Sequence, residues 1–278
     1  MVNDVELLQA MVVQCLRLRD AAMSHAAAQF ATPLTDDPRW LSPYPLRPEL
    51  QLRHLFLQAL DAYDASVAGL HHRTSSAAVG SIRLLAECCV IVRWLTEVDG
   101  AEQRKRSYRL TMDGIVRMEQ MRKHGVKWAS KPALDAMKQR LNELAREDGV
   151  QYVREAPDAK HLFDKYLRGG YEVLSILSEL GSHPGFFQAV LFHLDEAKTV
   201  MAVDLERAHA DRAMWVATAF ELLGYTLDGV GSALGWKAWL DAEALPIVKD
   251  AATVMPEVRT RWMSKWGIGA NPPPSRDG

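Results

Sequence analysis

The sequence predicts an all-α fold, a multi-helix bundle of about eight to ten helices, and three observations carry that prediction. Ala, Leu, Met, Glu, Arg and Gln, which lose least on entering a helix, dominate the long segments. Apolar residues recur three and four apart, the spacing that lines one helical face. No segment alternates strictly between apolar and polar residues with turn signals at both ends, as a half-buried strand would. At 278 residues and 48% hydrophobic composition the chain can bury one large core. Residues 1–264 read as a single domain, followed by a flexible tail, 265–278, whose last ten residues, GANPPPSRDG, have nothing to bury.

The first helix runs from about Asn3 to Phe30, with Val5, Leu8, Val12, Cys15, Leu16 and Met23 on its buried stripe. Pro33, Pro38, Pro43 and Pro45 then forbid a helix, which makes 31–47 a proline-rich loop anchored by Trp40 and Tyr44. Pro48 suits the first position of a second helix, which continues through Leu55, Leu57, Leu60, Tyr63 and Val67 to His71. Thr74 or Ser75 caps a third, about Ser76 to Val98. Its core, SIRLLAECCVIVRWL, is hydrophobic on every side, and a helix without a polar face is expected to be buried all round.

Asp99-Gly100 opens a charged helix, EQRKRSYRLTMDGIVRMEQMRKHG, and another solvated helix runs from about Pro132 to Glu147, ended by Gly149. A shorter helix spans about Lys160 to Leu167. The next, Tyr171 to Leu180, closes at Gly181 and the Ser182-His183-Pro184-Gly185 turn. FFQAVLFHL, residues 186–194, is compatible with a short strand or a buried helical turn. From about Thr199 a long helix carries Leu205, Ala208, Met214, Ala217 and Leu222, and the last helices hold Trp236, Trp239, Trp262 and Trp266.

Lys plus Arg (33) nearly balance Asp plus Glu (35), leaving a net charge of −2, so bulk attraction to nucleic acid or anionic membrane is not expected. The three cysteines, Cys15, Cys88 and Cys89, form neither a disulfide framework nor a zinc set, which fits a reducing, cytoplasmic location. MVNDVELLQA is acidic and unlike a signal peptide, and no uncharged apolar run is long enough to span a membrane.

The oddest placement is Arg83 and Glu87, four residues apart on the apolar third helix, with Arg93 further along. A buried charge is costly unless paired, so the two are expected to neutralise each other, either to fix helix register or to present the guanidinium to an anionic ligand. In YEVLSILSELGSHPG, the residues Tyr171, Ser175, Ser178, Glu179 and His183 lie broadly on one side. His183 ends a helix, where the dipole favours an imidazolium, so it is either a cap or a switchable acid or base. Arg83, Glu87 and His183 are therefore the candidate catalytic residues, and Arg93, Tyr171, Ser175, Ser178 and Glu179 the candidate ligand contacts.

Arg83, Glu87 and Trp94-Leu95, followed by RKRSYR and later by LSELGSHPG, resemble an uncharacterised bacterial all-helical family. Its members show an Arg-x-x-x-Glu helix ending in Trp-Leu and a later Leu-Ser segment leading to His. The pattern spans roughly residues 50 to 190. The family's Leu-Ser and His sit slightly closer together than Ser178 and His183 do here, so Ser175 and Ser178 both stand as the matching serine. The resemblance implies an all-α fold with Arg83, Glu87 and His183 as the residues to watch, and no activity.

A second resemblance is to helical HEPN-type nucleases, whose Arg and His are separated by four to six intervening residues. Arg19 with His25 and Arg117 with His124 fit, at a spacing loose enough for chance to supply. The basic residues Arg104, Lys105, Arg106, Arg109, Arg117, Arg122, Lys123 and Lys127 could track RNA, although Glu102, Asp113 and Glu119 interrupt them as on an ordinary solvated face.

Glu206 and His209 have a di-iron spacing without the required second pair, and HExxH is absent, so neither metal nor cofactor is expected. Gly229-Val-Gly231-Ser-Ala-Leu-Gly235 imitates a dinucleotide fingerprint without a preceding strand, and is expected to loosen or join two helices. The sequence thus points to a helical binding or regulatory module acting on a protein or small molecule, with the C-terminal tryptophans as core or as a homodimer face. A metal-independent HEPN-like ribonuclease using Arg83 and His183 is the alternative.

Overall fold

A computed structural model describes residues 3–30, 47–71, 75–125, 129–151, 153–167, 172, 175, 192–194, 201–203 and 205–265. They form an all-α bundle of eight helices: α1 (Asp4–Phe30), α2 (Pro48–His71), α3 (Ser75–Thr96), α4 (Gly100–Lys123), α5 (Lys131–Glu147), α6 (Ala159–Tyr166), α7 (Leu205–Leu234) and α8 (Leu245–Lys265). A helical turn (Lys237–Trp239) and a π-helical segment (Leu240–Ala244) lead into α8. Of the strand-or-helix alternatives for 186–194, the described part is strand: β1 (Phe192–Leu194) pairs antiparallel with β2 (Met201–Val203), His193 opposite Ala202. The long helix expected from Thr199 therefore starts later, at Leu205. The expected loop 31–47, except Arg47, and the expected tail, except Lys265, lie outside the described residues.

The helix starts follow from local chemistry. Asn3 and Glu6 form a reciprocal capping box on α1, Glu6 N–H donating to Asn3 Oδ1 at 2.9 Å and Asn3 N–H to Glu6 Oε2 at 2.8 Å. Ser130 Oγ accepts from the Ala133 amide ahead of α5, and Asp158 Oδ1 from the His161 amide ahead of α6. Pro48 begins α2, where its missing N–H costs nothing.

The main core joins α1, α2, α3, α7 and α8, with α6 at its side. Buried Tyr63 donates to the Cys15 carbonyl at 3.2 Å, linking α2 to α1. Arg212 of α7 donates to the Leu70 and His71 carbonyls at 2.6 and 2.8 Å, which satisfies the C-terminus of α2 with a cation at its negative end. The α4–α5 hairpin carries its own small core of Tyr108, Met112, Ile115, Leu134, Leu141 and Leu144. A buried polar ladder ties it to α2: Gln51 donates to the Ser107 carbonyl and to Thr111 Oγ1, and Ser107 Oγ returns a bond of 2.6 Å to Gln51 Oε1.

Two parts of the expected core are corrected. On α1, Val5 and Met23 are exposed and Leu16 half-buried, because Leu7, Met11, Leu18 and Ala22 occupy the stripe that meets α7, α8 and α2. On α3 one side faces water, with Leu84 45% exposed. The helix is apolar beyond the arc that its neighbours, chiefly α2 and α7 with α6 and α4, cover.

Gly229 and Gly231 lie within α7. A Cβ on Gly229 would sit 2.8 Å from Val92 Cγ1 of α3, and one on Gly231 would run into Leu240 Cδ1. Gly235, at φ +74°, ends α7 in a left-handed turn closed by Trp236 N–H on the Gly231 carbonyl at 2.7 Å. The glycine series therefore packs one helix closely and joins it to the next. Gly229→Ala should destabilise the fold by about 1–3 kcal/mol, since buried, β-branched Val92 has little room to yield. Gly114→Ala, where the added methyl meets nothing within 4 Å, should stabilise by up to about 1 kcal/mol. Urea denaturation of the two variants checks the opposite signs.

Candidate functional site

Arg83 and Glu87 do pair, Nε to Oε1 at 3.1 Å, but their side chains are 41% and 31% exposed. The expectation of a desolvated couple in apolar surroundings is corrected: the i, i+4 spacing places both on the solvent side of α3. Arg93 turns to α7, where it meets Asp228 at 3.1 Å in another half-exposed pair. Ser175 is helical and exposed. Tyr171, Ser178, Glu179 and His183 lie outside the described residues, so the expected cleft between Arg83 and His183 falls outside them too.

The basic helix α4 spends part of its charge locally. Arg104, Lys105, Arg106 and Arg117 each lie within 4.0 Å of a carboxylate, from Asp148, Glu102, Glu97 and Asp113 respectively. Glu97 is the hub joining α3, α4 and α6. Its Oε2 accepts from Lys165 at 2.8 Å, Tyr166 at 2.6 Å and Arg106 at 3.0 Å, and these donors hold its carboxyl down at about 2. Arg106 also donates to the Trp94 carbonyl, and the guanidinium groups of Arg106 and Arg109 each lie 5.5 Å from the centre of the Trp94 ring. Burial lowers the Arg109 pKa, with repulsion from Arg106 adding to it.

The three cysteines offer no reactive thiolate. Burial pushes the thiols of Cys15 and Cys88 up to about 12 and that of Cys89 to about 11. His25, expected only as half of a loose Arg-to-His spacing, stacks on Trp239 at 4.2 Å and edge-on to Trp236 at 4.7 Å. Its Nε2 is buried without a partner, and burial lowers its pKa. Trp236 is thus core and Trp239 half-buried against it.

Two cavities stand out. A polar one of about 450 Å³ lies between the start of α2, the first turns of α4 and the end of α5. Its charges are largely matched internally: Tyr108 donates to Asp148 Oδ2 at 2.5 Å, and Arg104 approaches the same oxygen at 3.8 Å. The other, an apolar groove of about 560 Å³, runs between α7 and the π segment with α8. Phe220, Leu227, Leu240, Val248 and Met255 line it, and Tyr225 and Leu245 stand at 51% and 40% exposure along it. Glu221, Asp228, Asp241 and Lys237 supply its charged groups.

The groove follows from the local sequence. Pro246, one residue into α8, has no N–H for the preceding turn and crowds the carbonyl four residues back, and the widened turn Leu240–Ala244 takes up that crowding. Leu240 is then seated against Gly231. Pro256 leaves the Ala252 carbonyl, beside the groove, without its intrahelical donor. The sequence reading missed these residues, although a signal was present. On α8, Ile247, Ala251 and Val258 form the buried stripe, while Leu245, Val248, Ala252 and Met255 form a second apolar stripe a quarter to a third of a turn away.

Comparison with known proteins finds no matching family model, no matching curated protein and no matching solved structure. Among the described residues, no group of three His, Cys, Asp or Glu could hold a metal ion, and no helix is long and apolar enough to cross a membrane.

Arg83→Met should change stability by no more than about 0.5 kcal/mol in urea denaturation, the scale of an exposed i, i+4 pair rather than of a buried one. Glu97 has a folded pKa below its ordinary 4.5, so its contribution is present above pH 4.5 and is lost as pH falls toward 2. The stability difference between wild type and Glu97→Gln should therefore be largest above pH 4.5 and vanish near pH 2 in pH-resolved thermal melts.

Proposed function

We propose that the chain is a non-catalytic binding module whose site is the groove between α7 and α8. The observation that carries this reading is the groove itself, an apolar concavity of ligand-binding size flanked by exposed Tyr225 and Leu245. The chemistry elsewhere supports it. The three thiols are buried and protonated, one oxygen of the Glu97 carboxylate already accepts from Lys165, Tyr166 and Arg106, and the Arg83–Glu87 pair sits at the surface. The free, buried thiols fit a reducing compartment, and we assign the protein to the cytoplasm. Four of the α4 cations that would guide RNA, Arg104, Lys105, Arg106 and Arg117, lie against carboxylates, and His183 lies outside the described residues, so no specific observation favours the ribonuclease alternative.

Gly224 provides the test. It lines the groove, and a Cβ built there meets nothing within 4 Å. Gly224→Leu should fill the groove while improving the helix propensity of α7 by up to about 1 kcal/mol. Wild type should raise Nile red emission on binding. Gly224→Leu should lose at least tenfold in dye affinity, by the displaced apolar volume, with an unchanged or higher melting temperature. Equal dye binding by wild type and a folded Gly224→Leu would overturn the reading.

A further inference from the structure

We propose a second binding site, sharing no residue with the groove, at which Arg106, Arg109 and Arg154 take up the phosphate group of a small phosphate monoester. It stands on observations independent of the groove and survives or fails apart from it.

The site lies where α3, α4 and the connection from α5 to α6 meet. Trp94, near the end of α3, is buried, with its ring beneath the guanidinium groups of Arg106 and Arg109, three residues apart on one face of α4. Contact with a ring orients a guanidinium without using any of its N–H donors. Arg109 also donates from Nε to the Glu155 carbonyl at 3.0 Å, which fixes the root of its fork and leaves both terminal nitrogens without an acceptor among the described residues. Arg154, next to Glu155, is exposed and makes no hydrogen bond or ion pair among the described residues. Its backbone is nonetheless held, since Val153 is buried in the hairpin core and Ala156 packs on the main core.

The charge here is not balanced within the chain. Two cations, Arg106 and Arg154, repel Arg109, and one carboxylate, Glu102, attracts it. Glu102 is itself shared, with Lys105 at 3.4 Å and Arg106 at 4.0 Å. Glu97, the other partner of Arg106, already accepts from Lys165 and Tyr166 as well. The Glu155 carboxylate forms no ion pair with either Arg109 or Arg154. An anion lying between Arg109 and Arg154 relieves the repulsion and offers their planar forks the paired oxygens that they match. A phosphate monoester suits this best, with three terminal oxygens and a charge approaching two at neutral pH. The site fits one phosphate rather than a run of them. Arg104, Lys105 and Arg117 each lie within 4.0 Å of a carboxylate, so a nucleic-acid backbone leaving the cluster along α4 next meets cations already matched.

The experiment titrates glycerol 3-phosphate with the full chain at pH 7.5 and fixed ionic strength, with binding read from the phosphorus NMR signal. Wild type should bind with a dissociation constant of about 1 mM or below. Arg109→Gln should weaken binding at least fivefold, and Arg154→Gln at least threefold. Arg154 makes no hydrogen bond or ion pair in the folded chain, so its variant keeps the test sound even if Arg109→Gln folds poorly. Arg83→Gln, at the surface pair further back on α3, should bind as wild type does. No phosphorus response from wild type at 20 mM ligand would overturn the proposal, as would equal binding by wild type and Arg154→Gln. A fall in affinity for Arg83→Gln as large as that for Arg154→Gln would also overturn it, since binding would then follow overall charge. A six-nucleotide oligouridylate binding more than fiftyfold tighter than uridine monophosphate would show several phosphates engaged, and would replace the small monoester with a nucleic acid.

Discussion

The bundle depends on how closely α7 approaches its neighbours. This helix touches α1, α2, α3 and α8, and at Gly229 its backbone comes so near α3 that Val92 Cγ1 would crowd a β-carbon placed there. Two turns of glycine-containing helix would ordinarily be a weakness, since each Gly surrenders conformational freedom. Here the close approach returns more than it costs, because buried Val92, Val216, Phe220 and Leu223 are brought into the dense contact that makes up most of helical stability in proteins. The same proximity governs the chain's end. Leu240 lies against Gly231, so the π segment, and with it α8, takes its position from α7.

Much of this architecture was legible in the residues. Helix-forming composition and three-four periodicity give the helices, and prolines and glycines give their ends, as at Pro48, Gly149 and Gly235. What periodicity cannot supply is the width of the arc that a neighbour covers. The third helix reads as buried all round because its residues are apolar on all sides, yet α2 and α7 cover only part of it and leave Leu84 in water. The Arg83–Glu87 pair was placed in the core by that same inference, and the i, i+4 spacing that makes them partners also puts them both on whichever side the helix presents.

The site was hidden for a related reason. Charged and polar residues attract attention in a sequence because burying them is costly, so Arg83, Arg93 and His183 stood out. An apolar groove made of Phe220, Leu227, Leu240, Val248 and Met255 looks like more core. Only the tertiary packing separates the stripe of α8 that reaches the core, Ile247, Ala251 and Val258, from the stripe that does not. The readable sign was an excess: α8 carries more apolar arc than one packing partner can cover.

An apolar groove left open to water is unfavourable, and a helix free to move would close it. What holds this one open is that α8 is committed on its other face. Ile247, Ala251 and Val258 are locked into the main core, Arg17 of α1 reaches Asp250 at 2.7 Å, and Trp262 donates to Asp211 of α7 at 2.8 Å near the far end. Rotating α8 to bury Leu245 and Val248 would withdraw the first stripe and break both tethers. The widened turn at Leu240–Ala244 adds one residue to the helical path that leads into α8. The groove is therefore enforced by the framework rather than left over from it, so a ligand that fills it gains the hydrophobic term without first reorganising the bundle.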